Sequence, residues 1–393
     1  MLLQAGQLLS TLGSGMSAVA YPLLALAVTH SPAKAGYVGA VVIAPLLLLA
    51  LPAGVAADRF DRKRLMIVSD AAAAAALGTL AGAVLAHAVT LWLILAVAFL
   101  DSTCGVLFRA GFTGAFRAVV PLSQVAAAAS ISQGRAATVR LAAPPVGGAL
   151  FGIARSLPFL GDAVSYAFST GSLLLMRPRF QESLERDPAP LRRRLTEGIS
   201  FFVRIPFLRT AMLMISISNF TFAGMQLALI VLARRHGLPA AAIGGLVALT
   251  GATTLLGSIV SPVLRRTLPM HLILLSEFWA ALAYVVFIGR PNVYALAGAM
   301  AAQAFCFPNT DAAAAAYSYA LIPDRLLGRA MAVSNTLRVL AAPLGPLVAG
   351  LMLGTVSPRI TIGALTGATL ATALVGTFST SIRRAPPLSE LTR

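Results

Sequence analysis

The chain has 393 residues, of which 58% are hydrophobic and only 11% are charged. A soluble domain carries about 25% charged residues, so this composition belongs to a protein that spans a membrane repeatedly. The formal net charge of +17 does not point to nucleic acid, because no contiguous basic face is visible in the sequence.

A bilayer crossing needs about 20 mostly apolar residues. Runs of that kind, separated by charge or Pro/Gly punctuation, predict twelve spans: 6–28, 35–56, 65–86, 90–115, 124–154, 158–176, 206–232, 240–263, 269–289, 292–319, 328–354 and 359–381. The first run lacks a basic leader, so a first transmembrane helix is expected there and not a cleaved signal peptide.

Between the second and third runs lies GVAADRFDRKR, Gly54 to Arg64, with six ionisable side chains. Such a stretch is expected outside the hydrocarbon. Four of the six are basic: Arg59, Arg62, Lys63 and Arg64. Asp58 is not needed to set topology. The fourth span carries Asp101 and Arg109, and the fifth Arg135, Arg140 and the small-residue string APPVGG with Pro144, Gly147 and Gly148. The sixth opens with FLGDAVSYAFSTG, which contains Asp162. After it, 177–205 holds seven arginines and four acids, too polar to span, and reads as a cytoplasmic linker. Within it Leu195 to Phe202 is expected to be either a short surface helix or part of a tether. The ninth span carries Glu277, the tenth Asp311, and the eleventh Arg338 followed by GPLVAG with Gly345, Pro346 and Gly350.

Of the 30 Lys and Arg residues, 20 fall in turns and tail assigned to one side, six on the other, and four within spans. That bias predicts both termini in the cytoplasm. Cys104 and Cys306 are the only cysteines, both within apolar spans, and read as small core residues. The four histidines are scattered singly, with no metal-ligand spacing, and no Gly-rich nucleotide loop or nucleophile motif occurs. No cofactor is therefore expected, and a membrane-embedded enzyme is the weaker class.

A shift of 202 residues lays ISQGRAATVRLAAPPVGGALFG, from Ile131, over VSNTLRVLAAPLGPLVAGLMLG, from Val333. Ser132 meets Ser334, Pro144 meets Pro346, Gly148 meets Gly350, and upstream Pro121 meets Pro323 and Cys104 meets Cys306. A weaker echo at 203 pairs Gly54 with Gly257 and Arg62 with Arg265. Two parallel six-helix halves with a site between them is the repeat architecture of rocking transporters. The expected domains are 1–176, the linker 177–205, 206–382 and a cytoplasmic tail 383–393.

An acid at membrane depth is a functional-site candidate by default. Asp101 is the first candidate for proton coupling, with a permanent ion pair inside the bundle as the bland alternative. Arg109 and Asp311 stand at equivalent places in the two halves with opposite charge and are candidates for a pair that opens and closes. Arg140 and Arg338 are alternative partners. Glu277 is placed against neighbouring helices.

The spacing Gly-x-x-x-Asp-Arg-x-x-Arg-Lys around Gly54 to Lys63 resembles the loop signature of the major facilitator superfamily, with Asp61 where many relatives have Gly. DRFDRKR, FLGDAVSY, RLTEGISFFVRIPFLRT and PDRLLGRAMAVSNTLR together resemble bacterial exporters of the macrolide-efflux and enterobactin-exporter type. The resemblance implies an all-α membrane fold of twelve helices and proton-driven export of a mid-sized organic compound across the bacterial plasma membrane. A small-metabolite or sugar importer is the runner-up. It also implies that the loop acts as a latch, with Asp58 facing the start of the eleventh helix near Pro323 to Arg329. APPVGG and GPLVAG resemble the antiporter motif of the fifth helix, against ordinary small-residue packing. With the first, fourth, seventh and tenth helices lining the cavity, Met16, Tyr21, Phe108, Asn219, Phe222, Gln226, Phe307 and Asn309 become candidate substrate contacts. The implied partners are the lipid bilayer, a small organic substrate and protons, with a monomer expected and no nucleic acid.

Overall fold

A computed structural model of the chain describes residues 2–119, 125–176, 204–289, 291–322 and 333–383. It contains helices and no strands among these residues. The helices are α1 (Leu2–Thr29), α2 (Pro32–Arg59), α3 (Arg62–Leu85), α4 (Leu91–Val119), α5 (Val125–Ile153) and α6 (Leu157–Leu175). They are followed by α7 (Pro206–Arg235), α8 (Ala240–Thr267), α9 (Met270–Gly289), α10 (Val293–Leu321), α11 (Val333–Thr355), α12 (Pro358–Phe378) and the short α13 (Thr380–Arg383).

Among the described residues, nine helices are long and apolar enough to cross a bilayer by length and composition: α1–α4, α7–α9, α11 and α12. Twelve spans were expected. α5, α6 and α10 are not among the nine; α6 carries Asp162 with a row of serines, and α10 carries Gln303, Asn309 and Asp311. Asp162, the serines, Gln303 and Asn309 are turned inward and build the polar interior described below, whereas Asp311 is exposed.

Local chemistry sets the helix ends. Ser31, Asn292 and Ser357 each accept a hydrogen bond from the first turn of the helix they precede. Pro32 and Pro358 occupy first-turn positions where no amide is needed. His30 and His87, just beyond α1 and α3, adopt positive φ of 53°, so these two histidines close helices. Inside α9 a 3-10 turn, Ala280–Ala283, links Met270–Trp279 to Tyr284–Gly289. α11 is interrupted at 340–343, while α5 stays helical through Pro144 and Pro145.

The charged stretch from Gly54 to Arg64 is not an open loop. α2 runs to Arg59 and α3 starts at Arg62, leaving only Phe60 and Asp61 between them. A 28-residue helix is about 42 Å long, well beyond the ~30 Å hydrocarbon thickness, so its last turns can carry charge outside the membrane. Asp61 is the N-cap of α3, accepting from the Arg64 amide at 2.8 Å. Lys63 donates to the Met176 carbonyl at the end of α6.

The chain divides into two compact units: Met1–Arg186 with Ala233–Ala248, and Asp187–Leu232 with Leu249–Arg393. In the first, α1 packs on α2, α4, α5 and α6, and α3 lies against α4 and α6. In the second, Phe207, Met214, Ile273, Phe278 and Tyr317 join α7, α9 and α10 in one core. The linker, including Leu195 to Phe202, the start of the eleventh span at Pro323 to Arg329 and the tail after Arg383 lie outside the described residues.

Candidate functional site

α1 and α6 each bury a polar stripe. Ser10, Ser14, Ser17 and Tyr21 recur at helical spacing along α1, and Asp162, Ser165, Tyr166, Ser169 and Ser172 do so along α6. Such i, i+3, i+4 steps bring side chains onto one face. Gly13 lets the two stripes meet, since a Cβ there would collide with the Asp162 carboxylate and the Ser165 hydroxyl.

Asp101 of α4, only 7% exposed, ties these stripes together. Tyr21 donates to its Oδ2 at 3.0 Å, and Tyr166 donates to its Oδ1 at 3.1 Å. Ser14 lies 3.0 Å from the Tyr166 hydroxyl. Asp162, fully buried, accepts from Ser17 at 2.6 Å and from Ser165 at 3.3 Å. A third carboxyl, Asp70 of α3, is 1% exposed and hydrogen-bonded by Ser169, with no partner for its Oδ2 among the described residues. No Lys, Arg or His forms an ion pair with any of the three among the described residues. Buried carboxylates without a cation are costly.

Asp101 also borders a cleft of about 280 Å³ between α1, α2, α4 and α6. Gln7, Ser14, Tyr21, Phe108, Arg109 and Tyr166 line it with the carboxylate. Arg109 is exposed. The cleft therefore presents an acid and a base on one helix, an aromatic wall and several hydroxyls. It is a chemistry suited to an amphipathic organic ligand.

The second unit has its own polar core. Glu277 of α9, 3% exposed, accepts from Ser218 of α7 and is hydrogen-bonded by Thr310 of α10. Tyr284 donates to Gln303 Oε1 at 2.7 Å, and Gln303 donates to Ser218 at 3.5 Å. Arg338 pairs with Asp311 inside this unit, and Asn219 donates to the Arg338 carbonyl at 2.9 Å.

Of the proposed cavity residues, Tyr21 and Phe108 line the cleft. Met16 does not: it packs on Val139 and Ala143 of α5, and its backbone lies where a Cβ on Gly147 would stand. Five residues before Tyr21, it points to a different side of α1. Phe222 and Phe307 pack edge-on against each other at 4.7 Å, and Asn309 is buried, donating to the Phe305 carbonyl at 3.4 Å. Gln226 is half-buried. Arg140 is exposed, and the Asp58 and Arg135 side chains lie outside what is described.

The small-residue motifs pack helices. Gly147 abuts α1, Gly148 abuts Ala240 and Gly244 in the same unit, and Gly345 of α11 abuts the Phe220 carbonyl and Gly224 of α7. Pro346 and Gly350 are buried. Gly54 is exposed, with no described atom within 4 Å of an added Cβ, so close helix approach at that glycine is not seen.

Sequence reasoning overlooked Asp70 and gave Asp162 no part in the site. The readable signal was the α6 periodicity, which puts Asp162 and Tyr166 on one face with three serines.

The profile of the transmembrane secretion effector family matches residues 2–390. An uncharacterized major facilitator-type transporter of Bacillus subtilis, YfiS, is 25% identical over 70% of this chain and 66% of its own length. The multidrug efflux pump Tap of Mycobacterium tuberculosis is 41% identical over 69 residues, 18% of this chain and 16% of the pump. The chain thus matches less than two thirds of the length of either relative. Among solved structures, a bacterial homologue of the iron transporter ferroportin superposes with a TM-score of 0.70 at 19% identity, covering 96% of this chain and 97% of that one. A bacterial homologue of the lysosomal transporter Spinster gives 0.69 at 18%, over 100% and 94%. The nucleoside transporter NupG gives 0.71 at 14%, over 98% and 99%. The fold is theirs, and the near-complete profile match places the chain in the transmembrane secretion effector family of major facilitator transporters.

Proposed function

We propose that the protein exports a drug-like or siderophore-like organic compound in exchange for protons, by alternating access. The observation that carries this reading is Asp101, a buried carboxyl with no ion-paired cation among the described residues, held by Tyr21 and Tyr166, yet bordering the cleft. A proton or the cationic part of a substrate can each relieve its charge, and competition for one carboxyl is the simplest form of reciprocal linkage. Asp162 and Asp70, joined to the same hydroxyl-rich interior, extend the set of groups that could hold the proton. The short match to a multidrug efflux pump supports the outward direction.

In this reading the protein sits in a bacterial plasma membrane with both termini inside. Asp58 with the basic cluster Arg59 to Arg64 latches the inner side, and the Asp311–Arg338 pair belongs to the gate of the second half. An importer of a small metabolite on the same fold is the competing reading.

Proteoliposome transport of a dye panel under an imposed pH gradient tests both. Export of dyes driven by the gradient in the native protein, lost in Asp101→Asn with insertion intact, is the expected result. Gradient-driven export that persists in Asp101→Asn moves the proton site elsewhere, and gradient-driven uptake favours the importer.

A further inference from the structure

A groove of about 530 Å³ opens between α9 and α12 in the second unit and shares no lining residue with the Asp101 cleft. Its walls are apolar: Leu272, Leu275 and Trp279 of α9 face Phe378 of α12. Leu272 and Phe378 are 48% and 72% exposed, so the groove lies open among side chains that a bilayer would cover. The Trp279 indole donates to Thr377 at 3.1 Å and joins the two helices along it.

The mouth of the groove has the opposite character. Arg383 of α13 and His271 in the first turn of α9 both line it. Among the described residues no acidic side chain is ion-paired with either. Pro269 caps α9 without a side-chain hydrogen bond, leaving the positive end of the helix turned to the same place. An apolar trough ending in a guanidinium, an imidazole and a helix N-terminus matches one ligand shape: an acyl chain joined to a phosphate. Basic pockets between helices on the inner membrane face are suited to anionic headgroups, and the charge bias predicts this end of α9 and α12 to be that face.

We propose that this groove is a binding site for an anionic phospholipid, its headgroup phosphate at Arg383 and His271 and one acyl chain along Leu272, Leu275, Trp279 and Phe378. The site is separate from transport chemistry and stands whether the substrate moves in or out.

The test uses the full chain in nanodiscs of phosphatidylcholine carrying a minority of phosphatidylglycerol, with spin-labelled versions of each lipid reporting the immobilised population. Phosphatidylglycerol should be held preferentially. Arg383→Gln should weaken that preference about fivefold, as expected for one basic residue at an anionic surface. Arg359→Gln, at the other end of α12, should leave it unchanged. Should Arg383→Gln fail to fold, salt serves instead: near 1 M, where screening acts over about 3 Å, the native preference should fall. Equal retention of both lipids, a preference indifferent to Arg383 and to salt, or disulfide trapping of two Phe378→Cys chains across the groove in place of lipid would each overturn the proposal.

Discussion

The hydroxyl of Tyr166 offers a quantitative handle on Asp101. It donates to the carboxyl at 3.1 Å and lies 3.0 Å from Ser14. Tyr166→Phe keeps the ring and its packing and removes both contacts. A hydrogen bond to a charged group contributes about 1.5–3 kcal/mol, and one between neutral groups about 0.5–1.5 kcal/mol. Deleting the hydroxyl should therefore cost more opposite Asp101 than opposite an Asn there. The difference is a coupling of about 1 kcal/mol, close to fivefold in the folding equilibrium. The assay is a double-mutant cycle of Tyr166→Phe and Asp101→Asn, read as thermal stability of the purified variants under one set of conditions, because transport itself is expected to be lost in Asp101→Asn. Tyr166→Phe should cost about 1 kcal/mol less beside Asn than beside the native aspartate. Strictly additive losses would mean that the tyrosine contributes by a route other than this carboxyl, and the reasoning from the shared network would fail.

Two further outcomes test the interior and the latch. Asp58→Asn should slow transport severalfold while leaving the protein folded and inserted, and unchanged rates would remove the latch. Gly257→Val should lower thermal stability by about 1–3 kcal/mol, because its Cβ would run into the Phe305 carbonyl of α10. Gly54→Val, in open space, should change it by less than about 0.5 kcal/mol in the same melt. Equal losses at the two glycines would refute the packing difference.

The helices were legible because membrane spans announce themselves by length and apolarity, and their ends by caps. The span expected from 90 is α4 from Leu91, and Ser31-Pro32 and Ser357-Pro358 open helices as such pairs should. The interior was less legible for a specific reason. Resemblance names the helices that line a cavity but not the face of each helix, and that face is set by periodicity. Met16 lies on a lining helix and on its packing side, next to Gly147. Asp70 gave no warning, because a lone acid followed by a run of alanines has no partner in sequence. Its partner, Ser169, is on another helix about a hundred residues away. Asp61 was read as a departure from the loop pattern, and it turns out to be a helix cap, a role that only backbone geometry displays.

The duplication gives an independent reason to single out Asp101. Under the 202-residue shift that aligns Cys104 with Cys306, Asp101 falls on Gln303. Gln303 does the same structural work in the second half: it is 1% exposed and accepts a tyrosine hydroxyl, from Tyr284, at 2.7 Å. An amide meets the packing and hydrogen-bonding demands of that position without a charge. If the first half needed only a buried acceptor for Tyr21 and Tyr166, Gln or Asn would serve there as well, and without the several kcal/mol that an ionisable group risks in a dry interior. What Asp adds over Gln is the ability to exist in two charge states. That is why Asp101→Asn is expected to fold, insert and hold its tyrosines, and yet lose the response to a pH gradient. A variant that failed to insert would instead show that the charge itself supports the fold, and the comparison with Gln303 would then count against proton coupling at this position.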